Sequence, residues 1–234
     1  MIDKELVKKR FSKSLDTYED NAFVQREMGA KLISLLEKKE FNTIFEIGCA
    51  SGLLTKQIKE NLKYNSLTAN DIVADAKSYV ENIATEFICE DIEKITFDKK
   101  YDLIISNACL QWCNDINSTI NKLLFALNDN GILAFTLFGE DNLKEIKNLF
   151  NFQNKVCVSA KIFKEETIKL YFDTPLDVLR HIKLTGVNAV QEHKFTKSTL
   201  KEFEENYKNL YSENGKVYLT YNPIYLIIKK NDIV

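Results

Sequence analysis

The chain lacks most of the features that would classify it at a glance. No apolar run approaches the ~18 residues that a membrane-crossing helix requires, so no span is expected. Basic residues do not prevail: 32 Lys and Arg face 34 Asp and Glu, a net charge of −2, which leaves nucleic acid without a broad electrostatic partner. Lys8, Lys9 and Arg10 have no apolar segment behind them, so a secretory leader is not expected and the chain reads as cytoplasmic. Cys49, Cys89, Cys109, Cys113 and Cys157 contain no C-x-x-C pair and are odd in number, which argues for reduced thiols over a disulfide framework. Cys109 and Cys113 stand four apart, but neither His181 nor His193 offers a matching ligand spacing, and no metal is expected. Only two prolines occur, and no repeat is found. A chain of 234 residues can nevertheless bury a substantial core without disulfides, as one domain or a domain with a cap.

What is present is periodicity. Leu6, Val7, Phe11, Leu15 and Tyr18 describe an amphipathic helix over 3–20, and Val24, Met28, Leu32, Leu35 and Leu36 a clearer one from about 22 to 38. Strands then alternate with helices: strand 43–47, helix 52–62, strand 66–71, helix 73–82, strand 86–89, a short helix or turn 91–95, strand 101–106, helix 115–127, strand 131–138. Such alternation requires crossovers, hence a mainly parallel sheet with helices on both faces. Tyr101–Ser106 and Ile132–Phe138 are apolar nearly throughout, as in strands buried on both sides. The expected fold is doubly wound α/β. Beyond Gly139 the reading is a helix at 141–150, a short helix near 164, a strand at 167–172, helices at 174–185 and 197–211, and a last strand at 217–229. The division expected is lid helices in 1–40, a binding core in 41–139, and the rest of the sheet in 140–234 with a helical lid inserted at about 174–212.

The most informative stretch is Ile44-Phe45-Glu46-Ile47-Gly48-Cys49-Ala50-Ser51-Gly52, an apolar strand that breaks into small residues ahead of a helix. A loop of this kind brings backbone close to a ligand, and the helix behind it offers unpaired N–H groups. The dinucleotide fingerprint would require glycine at 48, 50 and 53, where this chain has Gly48, Ala50 and Leu53. What remains, acid-x-Gly-x-Ala-x-Gly, resembles the first motif of class I S-adenosylmethionine-dependent methyltransferases, with Ala50 in place of the central glycine. That resemblance implies a Rossmann-like, seven-stranded sheet and S-adenosylmethionine as cofactor. It also implies a binding set of Gln25, Glu46, Gly48, Cys49, Ala50, Gly52, Asp71, Ile72, Asp91, Ile92 and Asn107.

Residue chemistry at the strand ends agrees with it. Asp71 closes the second strand, where a carboxylate can accept both hydroxyls of a ribose or, alternatively, cap the helix at 73–82. Asp91 and Ile92 follow the third strand and resemble the family's adenine contacts, while Asn107 ends the fourth beneath the amino acid moiety and the sulfonium. A nicotinamide enzyme would share Asp71 but gives no reason for Asp91.

Ser106-Asn107-Ala108-Cys109-Leu110-Gln111-Trp112-Cys113 is more specific still. It resembles the S-N-x-x-x-Q-W-C signature of the malonyl-[acyl-carrier-protein] O-methyltransferases of biotin biosynthesis. Arg10-Phe11-Ser12 with Tyr18, Ala22 and Gln25, then Glu90–Glu93, Leu179–Gly186 and Leu219-Thr220-Tyr221 agree, so the resemblance spans nearly the whole chain. Gly139–Glu145 departs from it, being longer and more acidic than the family's stretch.

The implied reaction methylates the free carboxylate of a malonyl thioester on acyl carrier protein, with coenzyme A as the other carrier to consider. A carboxylate of pKa near ~4 is already ionised at pH 7 and needs no general base. Alignment matters more, and orientation can supply up to ~7–11 kcal/mol of such a barrier. The resemblance implies Arg180, with Lys183 on the same helix, as the grip on the acid. Too tight an ion pair would hold the ground state more than the transition state. Tyr18 and Gln25 are expected over the sulfonium, and Gln111 and Trp112 on the pocket floor; His181 and His193 are read as structural or exposed. An acidic carrier would want a basic rim, for which Lys8, Lys9, Arg10, Lys183, Lys194 and Lys197 are candidates. Two other readings stay open: methylation of another small acid or small molecule, and a catalytically silent cofactor-binding partner, for which Ala50 speaks.

Overall fold

The computed structural model describes residues 2–150, 163–185 and 196–232. Cys157, Gly186, His193 and Lys194 lie outside the described residues. Asp3 starts the first helix by accepting the Leu6 N–H at 3.0 Å, and α1 runs from Lys4 to Asn21. At Ala22 (φ −86°, ψ 44°) the helical path breaks, and α2 follows at once as Phe23–Leu35. The two differ in how they pack: α1 buries only Ser14 and Leu15, whereas α2 buries Val24, Gln25, Met28, Gly29, Leu32 and Ile33.

Five strands in the expected order follow: β1 (Glu40–Ile47), β2 (Lys63–Asp71), β3 (Glu86–Cys89), β4 (Tyr101–Asn107) and β5 (Leu127–Phe138). They pair in parallel, joined by α3 (Leu53–Asn61), α4 (Lys77–Val80, preceded by a 3-10 turn at Ala74–Ala76), a turn after β3, and α5 (Ile116–Phe125). Along β4 the side chains alternate between two cores, Ile104 with Phe45, Leu133 and Phe135 on one face, Leu103 and Ile105 with Ile44 and Ala134 on the other. Burying each such side chain is worth about 1.5–3 kcal/mol, which is why the strand cannot slip by one residue.

The second half departs from expectation. Lys164–Glu165 is not helical; it is a two-residue strand, β6, because the edge of the main sheet offers it Tyr225 and Ile224 as partners. Ile168–Phe172 forms β7, but it pairs in a separate antiparallel sheet with β9 (Lys216–Tyr221), which also takes β8 (Ser212–Glu213). The single last strand is therefore two, β9 and then β10 (Pro223–Lys229), the latter antiparallel to β5. Asn222 makes the break: its carbonyl takes the Gly139 N–H at 2.7 Å while its amide reaches Glu165 Oε1 and the Glu166 carbonyl. The main sheet thus has seven strands in the order β3-β2-β1-β4-β5-β10-β6.

Three helices, α6 (Lys144–Phe150), α7 (Pro175–Leu184) and α8 (Lys197–Leu210), join the small sheet in a cap whose core includes Val178, Ile182, Phe203, Tyr207 and Tyr221. Val24 and Met28 of α2 belong to that same cluster, so α2 is the post on which the cap rests. Residues 91–95 form a turn, and the helix expected at 73–82 shortens to the 3-10 turn and α4.

Candidate active site

The carboxyl ends of β1 to β4 open into one cavity of about 660 Å³, its mouth included. Its floor is the loop after β1. The N–H groups of Gly48 and Cys49 both donate to the Asn70 carbonyl, at 2.8 and 3.0 Å, and the Ala50 N–H donates to Asp71 Oδ2 at 2.8 Å. Three successive loop donors are therefore engaged by the tip of β2 and are not left for a ligand. This arrangement has no phosphate cradle in it. Gly48 (φ +71°) is required, because a Cβ there would collide with Cys109 Sγ. Ala50 (φ +44°) and Ala108 (φ +51°) hold left-handed backbone without glycine's freedom, at a cost of ~1–2 kcal/mol each, and both face the cavity.

Asp71 serves the turn and the cavity together. Its Oδ1 accepts the Val73 N–H at 2.8 Å and its Oδ2 that of Ala50, leaving each oxygen a further lone pair for a hydroxyl. Burial raises its pKa above the ordinary range, against the pull of those N–H groups. Asp91 Oδ1 accepts the Glu93 N–H at 3.0 Å and the Lys4 ammonium at 3.3 Å, and Lys4 also pairs with Glu93 Oε2 at 2.6 Å. Burial works against the Glu93 charge, but Lys4 and the N–H groups of Asn114 and Asp115 prevail and hold its pKa at about 2. Ile72 and Ile92 supply apolar walls beside the two acids.

Lys4, Val7, Phe11 and Tyr18 share one stripe of α1 and form the roof. Phe11 meets Trp112 edge-on at 5.8 Å between ring centroids. Burial, with Cys109 and Asp71 nearby, pushes the Tyr18 phenol above its usual range, so it stays protonated and can donate. The thiols of Cys109 and Cys113 are likewise pushed up by burial, Cys113 to about 11, and line the site as neutral walls rather than nucleophiles. Sequence reasoning missed both thiols as walls, along with Lys4, Val7 and Asn70. The i, i+3, i+7 spacing of Lys4, Val7 and Phe11 was the available signal for the roof.

Other expected residues are not among the cavity walls. Glu46 is fully buried behind the loop, where its Oε2 accepts the Thr55 hydroxyl at 2.7 Å and ties β1 to α3. Its Oε1 has no partner among the described residues, and burial raises its pKa to about 8, so it carries a proton at neutral pH. The Cys49 side chain packs with Ala69, Ala76 and Val80, and Gly52 (φ +76°) opens α3. Gln25 is buried on α2 and offers its carbonyl to the Asn107 amide at 2.7 Å. Asn107 itself does reach the cavity edge, while its Oδ1 accepts the Thr136 hydroxyl at 2.6 Å. Gln111, in a 3-10 turn at Leu110–Trp112, has its Oε1 buried without a partner among the described residues.

The clearest correction concerns α7. Val178 and Ile182 fix its buried stripe, which turns Arg180 and Lys183 to solvent. The Arg180 side chain is 70% exposed and pairs with Asp177 at 2.9 Å. His181 points inward instead, with Nε2 2.8 Å from the Tyr221 hydroxyl, and burial lowers its pKa so that it is neutral at pH 7. The described residues hold no group of three or more His, Cys, Asp or Glu able to bind a metal, and no helix long and apolar enough to cross a membrane.

The polar groups fit a nucleoside: carboxylates with free lone pairs at the tips of β2 and β3, apolar side chains between them, and, among the described residues, one lining cation, Lys4, which is taken by Asp91 and Glu93. Strand order, loop and strand-tip acids together define a class I methyltransferase. Residues 45–135 match the methyltransferase-domain family. The chain is 39% identical, over 96% of each sequence, to the malonyl-[acyl-carrier protein] O-methyltransferase of Calditerrivibrio nitroreducens. It is 31% identical to that of Chlorobium luteolum, over 98% of this chain and 97% of that one. Among solved structures, BH2331 of Bacillus halodurans C-125 superposes with TM-score 0.60 at 13% identity, covering 86% of this chain and 98% of that one. The plantazolicin methyltransferase BpumL in complex with SAH gives TM-score 0.51 at 18% identity, covering 94% and 93%. The chain belongs to the malonyl-[acyl-carrier protein] O-methyltransferase family.

Proposed function

We propose that this protein is an S-adenosylmethionine-dependent carboxyl O-methyltransferase that esterifies the free carboxylate of a malonyl thioester on acyl carrier protein, the ester that starts the pimeloyl chain of biotin. The observation that carries this reading is similarity running through the roof and cap as well as the binding core, at 39% identity over 96% of the chain. When bound, S-adenosylmethionine supplies an electrophilic methyl group on a sulfonium.

The residues act by holding and excluding. Asp71 accepts the ribose hydroxyls on the lone pairs its N–H partners leave free. Asp91 accepts the adenine amino group, with Ile72 and Ile92 against the ring. Asn107, locked between the Gln25 carbonyl and Thr136, keeps α2 at a fixed height over the tip of β4. Phe11 and Trp112 keep water from the reacting pair. Tyr18 holds its proton and donates it in a hydrogen bond to the acceptor carboxylate. A neutral donor suits this chemistry better than a guanidinium: the acceptor loses its charge on the way to ester, so a strong ion pair would be lost in the transition state. Arg180, paired with Asp177 at the surface, is not needed for that role. The protein works in the cytoplasm on this reading, where its buried thiols stay reduced.

The test is methyl transfer from labelled S-adenosylmethionine to malonyl-carrier protein, set beside a panel of free small acids. Label is expected in a base-labile ester on the carrier-bound malonyl group. Preferential labelling of a free acid, or cofactor binding without transfer to any carboxylate, would overturn the reading.

A further inference from the structure

Glu93 is not a wall of the cavity, yet three parts of the site meet on it. It stands in the turn after β3, and its own N–H donates at 3.0 Å to Asp91 Oδ1, the acid given above to the adenine amino group. Its side chain leaves that turn and crosses to the connection between β4 and α5. There Oε1 accepts the Asp115 N–H and Oε2 the Asn114 N–H, each at 3.0 Å, while Oε2 also pairs with the Lys4 ammonium at 2.6 Å. The Asn114 side chain in turn accepts the Ile2 N–H at 2.7 Å. One carboxylate thus joins the turn of Asp91 and Ile92, the segment behind Trp112 and the first turn of the roof.

Capping α5 does not account for these bonds. Asp115 already caps that helix, its side chain accepting the Ser118 N–H at 2.9 Å. Glu93 takes instead the N–H groups of Asn114 and of Asp115 itself, so what it fixes is the place where the chain enters the helix. The connection is tied at its other end too, where Asn107 is locked to Thr136 and the Gln25 carbonyl. Between the two ties, the Trp112 N–H donates to the Cys109 carbonyl at 3.0 Å and the Cys113 N–H to that of Leu110 at 3.1 Å, which makes 109–113 a compact turn. Trp112 and Cys113 on that turn line the cavity. The depth at which Trp112 stands is therefore set by where the ends of its segment are held.

We propose that Glu93 is a positioning residue for methyl transfer: by tying the Asp91 turn to Asn114 and Asp115, it sets Trp112 at a fixed distance from the bound nucleoside, and so sets the gap in which the acceptor carboxylate meets the methyl group. The proposal rests on the methyl transfer proposed above. Misplacement by about 1 Å in such a gap can slow a reaction on the order of a hundredfold.

Trp112 is the chain's single tryptophan, so its emission reports this turn alone. Glu93→Ala should shift that emission to the red as the ring gains water. At saturating S-adenosylmethionine and malonyl-carrier protein the same variant should lower kcat by about 10–100-fold, with affinity for S-adenosylhomocysteine falling no more than about fivefold. Glu93→Gln keeps the shape and one acceptor oxygen; it should lie between wild type and Glu93→Ala, and it carries both readouts if the alanine variant does not fold. Lys4→Met cuts the roof tie but leaves both N–H bonds, and should lose less kcat and shift the emission less. An unshifted emission, a loss confined to nucleoside affinity, or a Lys4→Met variant as impaired as Glu93→Ala would overturn the proposal. A wild-type protein that methylates no carboxylate would overturn the functional reading instead, while the emission would still judge the tie between Glu93 and Trp112.

Discussion

Floor and roof of the cavity are built in different ways. The floor is backbone: the tips of β1 to β4 stand where parallel pairing puts them, and the Gly48–Ala50 loop is bonded N–H by N–H to the end of β2. The roof is side chain. α1 buries just two of its 18 residues and is fastened at its rim through Lys4, Ser12, Asp16 and Glu19. A backbone-built surface cannot adjust without breaking the sheet, whereas a side-chain-fastened helix can lift on the loss of a few contacts each worth about 0–1 kcal/mol at the surface. The floor is therefore fixed by the sheet, whereas the place of the roof depends on the side-chain pairs at its rim.

Breaking the floor should do the most damage. Gly48→Ala adds a methyl group against Cys109 at a left-handed position, and is expected to cost ~1–3 kcal/mol from strain and more from the collision. Isothermal titration with S-adenosylhomocysteine should show affinity reduced by roughly a hundredfold, since ~1.4 kcal/mol is a factor of ten; unchanged affinity would mean the loop is not a fixed surface. The roof should break differently. Tyr18→Phe removes one hydrogen bond to a charged acceptor, about 1.5–3 kcal/mol, so kcat/KM for the malonyl substrate should fall by roughly 10–100-fold with nucleoside affinity nearly unchanged. A parallel loss of both would place the hydroxyl on the nucleoside instead.

Glu46 sharpens the comparison from beneath the floor. Its pKa is raised from 4.5 to about 8 by burial, so its favourable contribution to folding is complete below about 4.5 and is lost as pH climbs through about 8. Glu46→Gln keeps an acceptor for Thr55 and cannot ionise. Urea melts should show the variant gaining on wild type between pH 5 and pH 8; parallel curves would mean the carboxyl is not neutral in the fold. The smallest effect belongs to Arg180→Ala, which removes a solvent-exposed i, i+3 pair with Asp177, and turnover within about twofold of wild type is expected. A larger loss would show that α7 turns inward during the reaction.

These contrasts also mark how far the sequence could be read. Asp71, Asp91 and Asn107 were legible because strand periodicity and parallel topology together say which residue stands at a tip, and the structure puts all three at the cavity. Tyr18 and Trp112 were legible in the same pattern of spacing and signature. Arg180 and Glu46 were misread for one reason: both lie in real motifs, but a motif does not say which way a side chain faces. Sequence missed Lys4 in the roof stripe of α1 for the converse reason. A lysine near the start of a helix looks solvated until Glu93 and Asp91 are found opposite it.

By itself, the sequence determined the order of elements as far as β5, the parallel core and the chemistry at each strand tip, since these follow from local periodicity and the near-invariant hand of crossovers. Only the tertiary structure decided that β7 leaves the main sheet for β9, that the loop donors turn to β2, and that α7 shows His181 rather than Arg180 to the interior. Lateral strand pairing and the rotation of a helix about its own axis are set by partners far away in the chain, and no window of neighbouring residues contains them.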